Sequence, residues 1–416
     1  MQIPSAWAAP AAPPVLRLLP RPAQPGAVHP GMAPPGVAAA EPPILLSPPH
    51  LTGLELAGLA ETLQSGWVAP AGPVPAAFEA ALAEATGLQH VLAVSSGTAA
   101  LHLGYRCLGI EPGDEVWTAT LTYVATIAPA VQMGARPRFL DVCPLSWTLD
   151  PGLLEAELGR AARRGRLPRA VVPVDLFGQC AELEAIRPLC DRWGVPLLVD
   201  SAESLGARQH GRKAGTGARL AAFSFNGNKI VTAGGGGALV SADAGLIAEA
   251  RALASQAKQP APHYQHETTG FSYGLSSILA ALGLVQLGVL EARVAARRAI
   301  FGAYAQGLAD LPGLRLMPEP DWSQGTRWLT AILLDPARGA PSREAVRLAL
   351  QAAGIETRPV WKPMHLQPAF RRAARSGGAV AARLFEQGLC LPSGSSLTPA
   401  QQARVIARLR RCWPGG

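Results

Sequence analysis

From His90 onward the chain alternates short apolar runs with stretches of helical period. His90–Val94, Glu115–Ala119, Arg138–Asp141, Ala170–Asp175, Pro196–Asp200, Leu220–Phe225 and Gly237–Ser241 read as strands. Thr98–Leu108, Tyr123–Met133 and Leu183–Trp193 read as helices between them, after two earlier ones over Leu51–Ser65 and Phe78–Ala85. Strands that are apolar throughout, separated by helices, predict a mostly parallel sheet covered on both faces, an α/β domain of doubly wound type. Near Ser276 the pattern changes. Ile278, Leu282, Val285 and Val289, then Phe301, Tyr304 and Leu308, keep a helical period that suits a long helix joining a large domain (44–290) to a smaller C-terminal one (291–416). Residues 1–43, rich in Pro and Ala, cannot sustain a helix or a central strand and are expected to be a disordered arm. They lack the basic start and apolar stretch of a secretory signal.

Composition narrows the class. Hydrophobic residues make up 49% of the 416 and charged residues 16%, enough for a sizeable core. Two uncharged runs, Val116–Ala135 and Thr268–Leu290, carry interspersed Thr, Ser, Gln or Pro and no anchoring flanks, so they read as buried core and no membrane insertion is expected. The formal net charge of +8 fits either an anionic ligand or an Arg-rich compositional bias. No zinc finger, RNP motif or groove-reading basic helix is present, which sets nucleic acid aside. Six cysteines without a C-x-x-C pair predict free thiols in a reducing cytoplasm.

Three segments carry candidate chemistry. Ser95-Ser96-Gly97-Thr98 follows the first strand and opens a helix, which presents free amides and a positive dipole end to a phosphate; a capped tight turn would look the same. Val199-Asp200-Ser201-Ala202-Glu203 ends a strand on an acid, where open α/β sheets bind ligands; it could also be a simple turn cap. Phe223-Ser224-Phe225-Asn226-Gly227-Asn228-Lys229, followed by Gly234–Gly237, delivers a lysine from a buried strand into a loop that lets backbone approach a ligand. A desolvated lysine amine suits nucleophilic attack on a carbonyl. A phosphate turn, a strand-end acid and a loop lysine, in this order, are what pyridoxal phosphate requires.

These segments, with Ser96-Gly97-Thr98-Ala99-Ala100-Leu101-His102, Asp200-Ser201-Ala202-Glu203 and Arg358-Pro359-Val360-Trp361-Lys362-Pro363-Met364-His365, resemble the DegT-type sugar aminotransferases from about Leu46 to the C-terminus. The branch with the greatest likeness acts on UDP-4-keto-6-deoxy-N-acetylhexosamines. The resemblance implies the aspartate-aminotransferase-like fold type I of pyridoxal phosphate enzymes, with a smaller α+β C-terminal domain, as a homodimer with shared active sites. It implies that Lys229 carries the cofactor, that Asp200 pairs with the ring nitrogen, and that Glu203 lies near the 3-hydroxyl. Gly97, Thr98 and Ser224, with Asn226, would hold the phosphate, and Tyr123 would stack on the ring. Trp67, Arg358, Trp361, Lys362 and His365 would contact the nucleotide sugar. No metal is implied. One stretch departs from the pattern: Gly270-Phe271-Ser272-Tyr273-Gly274-Leu275 has Ser272 and Gly274 where the family carries Asn and Arg toward the partner subunit's cofactor phosphate. Ser272 is the shorter donor left there.

The expected reaction is amino transfer from L-glutamate to a nucleotide-linked keto sugar, for a surface glycan or glycoprotein. Two other readings compete. A dehydratase on the same fold would carry His in place of Lys229. A lapsed cofactor-binding sensor or scaffold would keep the fold without turnover.

Overall fold

The computed structural model describes residues 42–413. The arm expected over residues 1–43 therefore falls outside the described residues except at its last two positions.

Seven strands form the frame of the site. They are β1 (His90–Val94), β2 (Glu115–Ala119), β3 (Arg136–Leu140), β4 (Ala170–Val172), β5 (Leu198–Asp200), β6 (Leu220–Ser224) and β7 (Gly237–Ser241). β1, β7, β6 and β5 lie side by side in that order, as do β3, β2 and β4, with the short strand Ala374–Ser376 outside β3. Parallel bridges Val171↔Leu197 and Val174↔Asp200 join the two groups. All neighbours run parallel except β7, which is antiparallel to both β1 and β6. The mostly parallel sheet predicted from unbroken apolar runs is the one observed, and β4, β5 and β7 are buried along their whole length.

Helix boundaries differ from expectation where local chemistry intervenes. The first helix starts at Glu55, not Leu51, because the Glu55 carboxylate folds back onto the amides of Thr52 (2.8 Å) and Gly53 (2.8 Å) and ends the preceding turn. The second starts at Pro73, five residues before Phe78, with proline in the first turn where its missing N–H costs nothing. The run Tyr123–Met133 splits into a 3₁₀ turn, Val124–Thr126, and a short helix, Ala128–Gln132, carrying Pro129 in its first turn. The long helix is two, Ser277–Leu287 and Leu290–Gly307, bent by 60° at Gly288–Val289. Among the described residues no single helix is long and apolar enough to cross a membrane, and that bent pair meets the criterion only when its halves are combined. Ser277–Leu287 packs against both Glu55–Ser65 and Pro73–Thr86. Gly283 admits the Phe78 ring there, and Phe78 in turn meets Phe225 edge-on at 5.2 Å, under the loop that carries Lys229.

A second sheet, antiparallel throughout, orders Leu314–Leu316, Thr330–Leu334, Gly388–Leu391 and Arg358–Pro359. Its buried Ile332, Leu334, Leu389 and Leu391 share a core with Ile300, Tyr304, Val346, Leu350 and Val405 from helices. All six cysteines are free.

Asp141, at the end of β3, ties the main sheet to the helix Ala379–Gln387. Its carboxylate accepts the amides of Gly378 (2.6 Å), Val380 (3.0 Å), Ala381 (3.0 Å) and Val142 (2.9 Å). Removing a buried charged acceptor leaves its donors unpaired. Asp141→Ala is expected to lower stability by about 2–3 kcal/mol, read as a shift of the denaturant midpoint; an unchanged midpoint would contradict this role.

Candidate active site

A cleft of about 740 Å³ opens where β1, β5 and β6 end. Those are the carboxyl ends of the parallel strands, the place such sheets offer to ligands.

Lys229 projects into it from the turn after β6. Phe225, buried at that turn, donates its N–H to Gly236 O (2.9 Å) and accepts Ala233 N–H (2.9 Å), closing the loop on itself. The Lys229 amide donates to Asn226 O at 3.0 Å. Its side chain is 13% exposed; Nζ lies 3.5 Å from Glu203 Oε1 and 4.3 Å from the centre of the Trp328 ring. The chain holds only four lysines, at positions 213, 229, 258 and 362. Lys229 is the one that lines this cleft.

Three buried carboxyls face it. Asp200 ends β5; its Oδ2 accepts Thr126 Oγ1–H at 2.6 Å and its Oδ1 accepts Ala202 N–H at 3.1 Å. Burial pushes Asp200 above the ordinary carboxyl range, while those donors and the Lys229 charge pull the other way. Glu203 accepts Phe177 N–H at 2.8 Å, and burial raises it to about 7 against the opposing Lys229 ammonium. Asp175 accepts the hydroxyls of Ser201 (2.7 Å) and Ser204 (2.5 Å), and burial raises it to about 6 despite them. Its own amide donates to Asp200 O at 2.9 Å. Dry carboxyls with part of their hydrogen-bonding capacity unspent favour a cationic partner.

The opposite wall suits a phosphate. Ser96 caps the helix Gly97–Cys107 by accepting Ala99 N–H (3.0 Å), leaving the amides of Gly97 and Thr98 in its open first turn. Side chains are kept off this floor by contact. A Cβ on Gly97 would meet Ser224 Cβ at 3.0 Å, and one on Gly237 would meet Gly97 N at 2.5 Å. Glycine-lined backbone, a short hydroxyl from Ser224 and a helix start make a cradle for an anionic group. A buried acid and an amine complete the donor set pyridoxal phosphate needs, so the residues present fit it.

Of the residues singled out in the sequence, Gly97, Thr98, Tyr123, Asp200, Glu203, Ser224, Asn226, Lys229, Arg358 and Trp361 line this one cleft. Tyr123 and Trp361 face each other with ring centres 5.5 Å apart. Four others lie outside it in the single chain. Trp67 is 51% exposed beside Gly72. Ser272 pairs with Ser255 in an isolated bridge. His365 Nδ1 shares a 2.6 Å hydrogen bond with Thr120 Oγ1, and Lys362 O accepts Gln367 Nε2–H at 3.3 Å. Asp175, Thr122 and Trp328 were missed. Asp175 had a signal, since the run from Ala170 ends on an acid just as the run to Asp200 does. Trp328 had none, because it arrives from 99 residues beyond Lys229.

The sequence profile of the DegT/DnrJ/EryC1/StrS aminotransferase family matches residues 49–410. EpsN of Bacillus subtilis (strain 168), described as a pyridoxal phosphate-dependent aminotransferase, is 47% identical over 87% of this chain and 94% of its own. The GDP-perosamine synthase of Caulobacter vibrioides is 35% identical over 88% and 98%. A crystal structure of DesI, determined in the presence of its TDP-sugar product, superposes with a TM-score of 0.81 at 30% identity, over 91% of this chain and 94% of that one. A DegT/DnrJ/EryC1/StrS aminotransferase from Brucella abortus superposes with a TM-score of 0.80 at 30% identity, over 86% and 95%. The chain belongs to the DegT/DnrJ/EryC1/StrS aminotransferase family. It has the fold type I architecture, and its cofactor is pyridoxal phosphate.

The raised Glu203 makes a test in the cofactor-free protein. An acid whose folded pKa exceeds its unfolded value supports folding below the unfolded value, 4.5, and loses that support as pH rises through about 7. Relative to Glu203→Gln, the wild type is expected to lose roughly 1–3 kcal/mol of stability between pH 4.5 and 7. Parallel stability curves for the two proteins across this window would contradict the burial of an ionisable group there.

Proposed function

We propose that this chain transfers the amino group of L-glutamate to the keto carbon of a nucleotide-linked 4-keto-6-deoxy sugar, a UDP-linked N-acetylhexosamine, as a cytoplasmic homodimer serving glycan synthesis. The observation that carries the reading is Lys229 standing among buried carboxyls beside a phosphate-type cradle in one cleft. A relative named GDP-perosamine synthase, and DesI, whose structure was determined in the presence of its TDP-sugar product, support a nucleotide-sugar acceptor. So do Arg358, 68% exposed on its side chain at the cleft, and the aromatic pair Tyr123–Trp361, which suit a diphosphate and the flat faces of a base or sugar. The UDP-N-acetyl preference rests on the sequence motifs.

When bound, pyridoxal phosphate supplies a carbonyl that takes up the amino group and a ring that withdraws electrons. The protein supplies the rest. Gly97, Thr98, Ser224 and Asn226 bind the phosphate. Asp200, dry and oriented by Thr126 and Ala202, keeps a proton on the ring nitrogen. Glu203 faces the lysine at 3.5 Å and would lie near the cofactor's 3-hydroxyl. The Lys229 amine holds the cofactor between turnovers and, once released, moves a proton off the donor α-carbon and later onto the sugar carbon. Exposed Leu54, Leu56, Leu63, Trp67 and Val68 support a homodimer, with Trp67 and Ser272 acting across it.

The protein loaded with cofactor is expected to absorb near ~420 nm and to aminate a 4-keto-6-deoxy sugar nucleotide with glutamate, read as a mass change in the sugar. Lys229→Ala is expected to lose the band and to slow transfer by about 10²–10⁴-fold or more. A screen of UDP-, TDP- and GDP-linked acceptors in which none is aminated by the coloured wild type would overturn the proposal.

A further inference from the structure

Asn228, the residue before the cofactor-bearing lysine, is held by side chains from two distant parts of the chain. Its carbonyl oxygen accepts Ser47 Oγ–H at 3.0 Å and Trp328 Nε1–H at 2.8 Å, filling both lone pairs. Behind these two donors sits one guanidinium. Arg297 Nη2 donates to Ser47 Oγ at 3.2 Å; Arg297 Nη1 donates to Trp328 O and, at 3.1 Å, to Ser393 O. A guanidinium cannot accept, so the Ser47 hydroxyl is obliged to aim its only proton at Asn228.

Arg297 is 2% exposed and has no carboxylate partner among the described residues. Burial, with Arg293 beside it, pushes its guanidinium down to about 9, so it stays charged at neutral pH. A buried cation paired only with neutral oxygens is costly to keep. What it returns here is direction: it aims the Ser47 hydroxyl and anchors the Trp328 backbone at once, from a planar group that lysine could not imitate. Trp328 acts at both ends of the same residue pair, since its N–H holds the Asn228 carbonyl while its ring face lies under Lys229 Nζ. Ser47 is itself anchored, its neighbour Leu46 donating to Glu356 Oε2 (3.0 Å) and accepting Ser393 N–H (2.8 Å).

We infer that Ser47, Trp328 and Arg297 are positioning residues, a clamp on the Asn228 carbonyl that fixes where the Lys229 amine stands. The inference rests on Lys229 being the cofactor-bearing residue. It also gives the segment 44–48 a part in the active site that no cofactor-binding motif assigns.

The test is amide exchange at Lys229 and Ala233 in the cofactor-free full chain, followed by mass spectrometry, with the Trp117 amide of β2 as the reference for global opening. Ser47→Ala removes one donor and little volume; Trp328→Phe removes the other donor and keeps an aromatic ring, at the cost of part of the buried indole. Each is expected to speed Lys229 exchange roughly fivefold, and Arg297→Met roughly tenfold or more, with Trp117 unchanged. Cofactor affinity is expected to fall by similar factors, and the circular dichroism of the bound cofactor's visible band to weaken. In the Arg297→Met background, Ser47→Ala is expected to add less than about twofold, because its hydroxyl is no longer aimed. Wild-type exchange at Lys229 in Arg297→Met, or an undiminished Ser47→Ala effect in that background, overturns the clamp. Should Arg297→Met not fold, the two conservative variants decide alone: neither raising Lys229 exchange also overturns it. Exchange is read without cofactor, so its failure is distinct from a failure of the lysine assignment, which retained colour in Lys229→Ala would reveal.

Discussion

A lysine amine facing carboxyls that the fold keeps almost wholly from water is the constraint around which the structure is arranged. Asp175, Asp200 and Glu203 are each almost wholly buried, and burial drives all three upward in pKa. Three acids so placed would repel one another if all were ionised. The fold tolerates them by giving each a few directed donors and one nearby cation. Thr126 and Ala202 serve Asp200, Ser201 and Ser204 serve Asp175, and Phe177 with Lys229 serves Glu203. A second cation in the cleft, such as a protonated ring nitrogen, would relieve the remaining cost. The site is thus built as an incomplete electrostatic set that pyridoxal phosphate completes.

The scaffold explains why these groups meet. Parallel strands bring β1, β5 and β6 to one end of the sheet, so the phosphate turn, Asp200 and Ser224 share a rim although 129 positions separate Ser95 from Ser224. The antiparallel β7 returns glycines to that rim and presses Gly237 against the Ser96–Gly97 backbone. The second sheet then closes the cleft with Arg358 and Cys390, joined by Trp328 from the segment leading into it. Strain accompanies the closure: Phe177 and Arg327 both adopt positive φ, at 52° and 54°, where the Phe177–Gly178 turn crosses the segment leading to Trp328.

Much of this was legible in the chain. The unbroken apolar runs that gave β1, β2 and β7 their bounds are read from local residues alone, and so were the acid at 200 and the lysine at 229, because strand ends and glycine loops leave local marks. What escaped has a physical pattern. Trp328, Thr122 and Ser47 act on the site through contacts that only folding creates, and no periodicity encodes them. The break at Gly288–Val289 escaped because both halves keep the same apolar period. Lys362 and His365 do not line the cleft of the single chain because membership in a motif segment does not fix side-chain direction; His365 turns instead to Thr120. The helices Pro151–Arg163 and Pro399–Arg410 also went unread, although Asp150 and Thr398, each followed by proline, cap their first turns.

The central claim is that the amine at position 229, and no other, bears the cofactor. Borohydride reduction of the cofactor-loaded protein, followed by peptide mapping, tests it directly, since reduction fixes the cofactor to whichever lysine carries it. With four lysines in the chain the outcome is unambiguous. The account predicts the added mass on the peptide containing Lys229, in near-stoichiometric yield. Its appearance on Lys213, Lys258 or Lys362, or on no peptide at all, would contradict it.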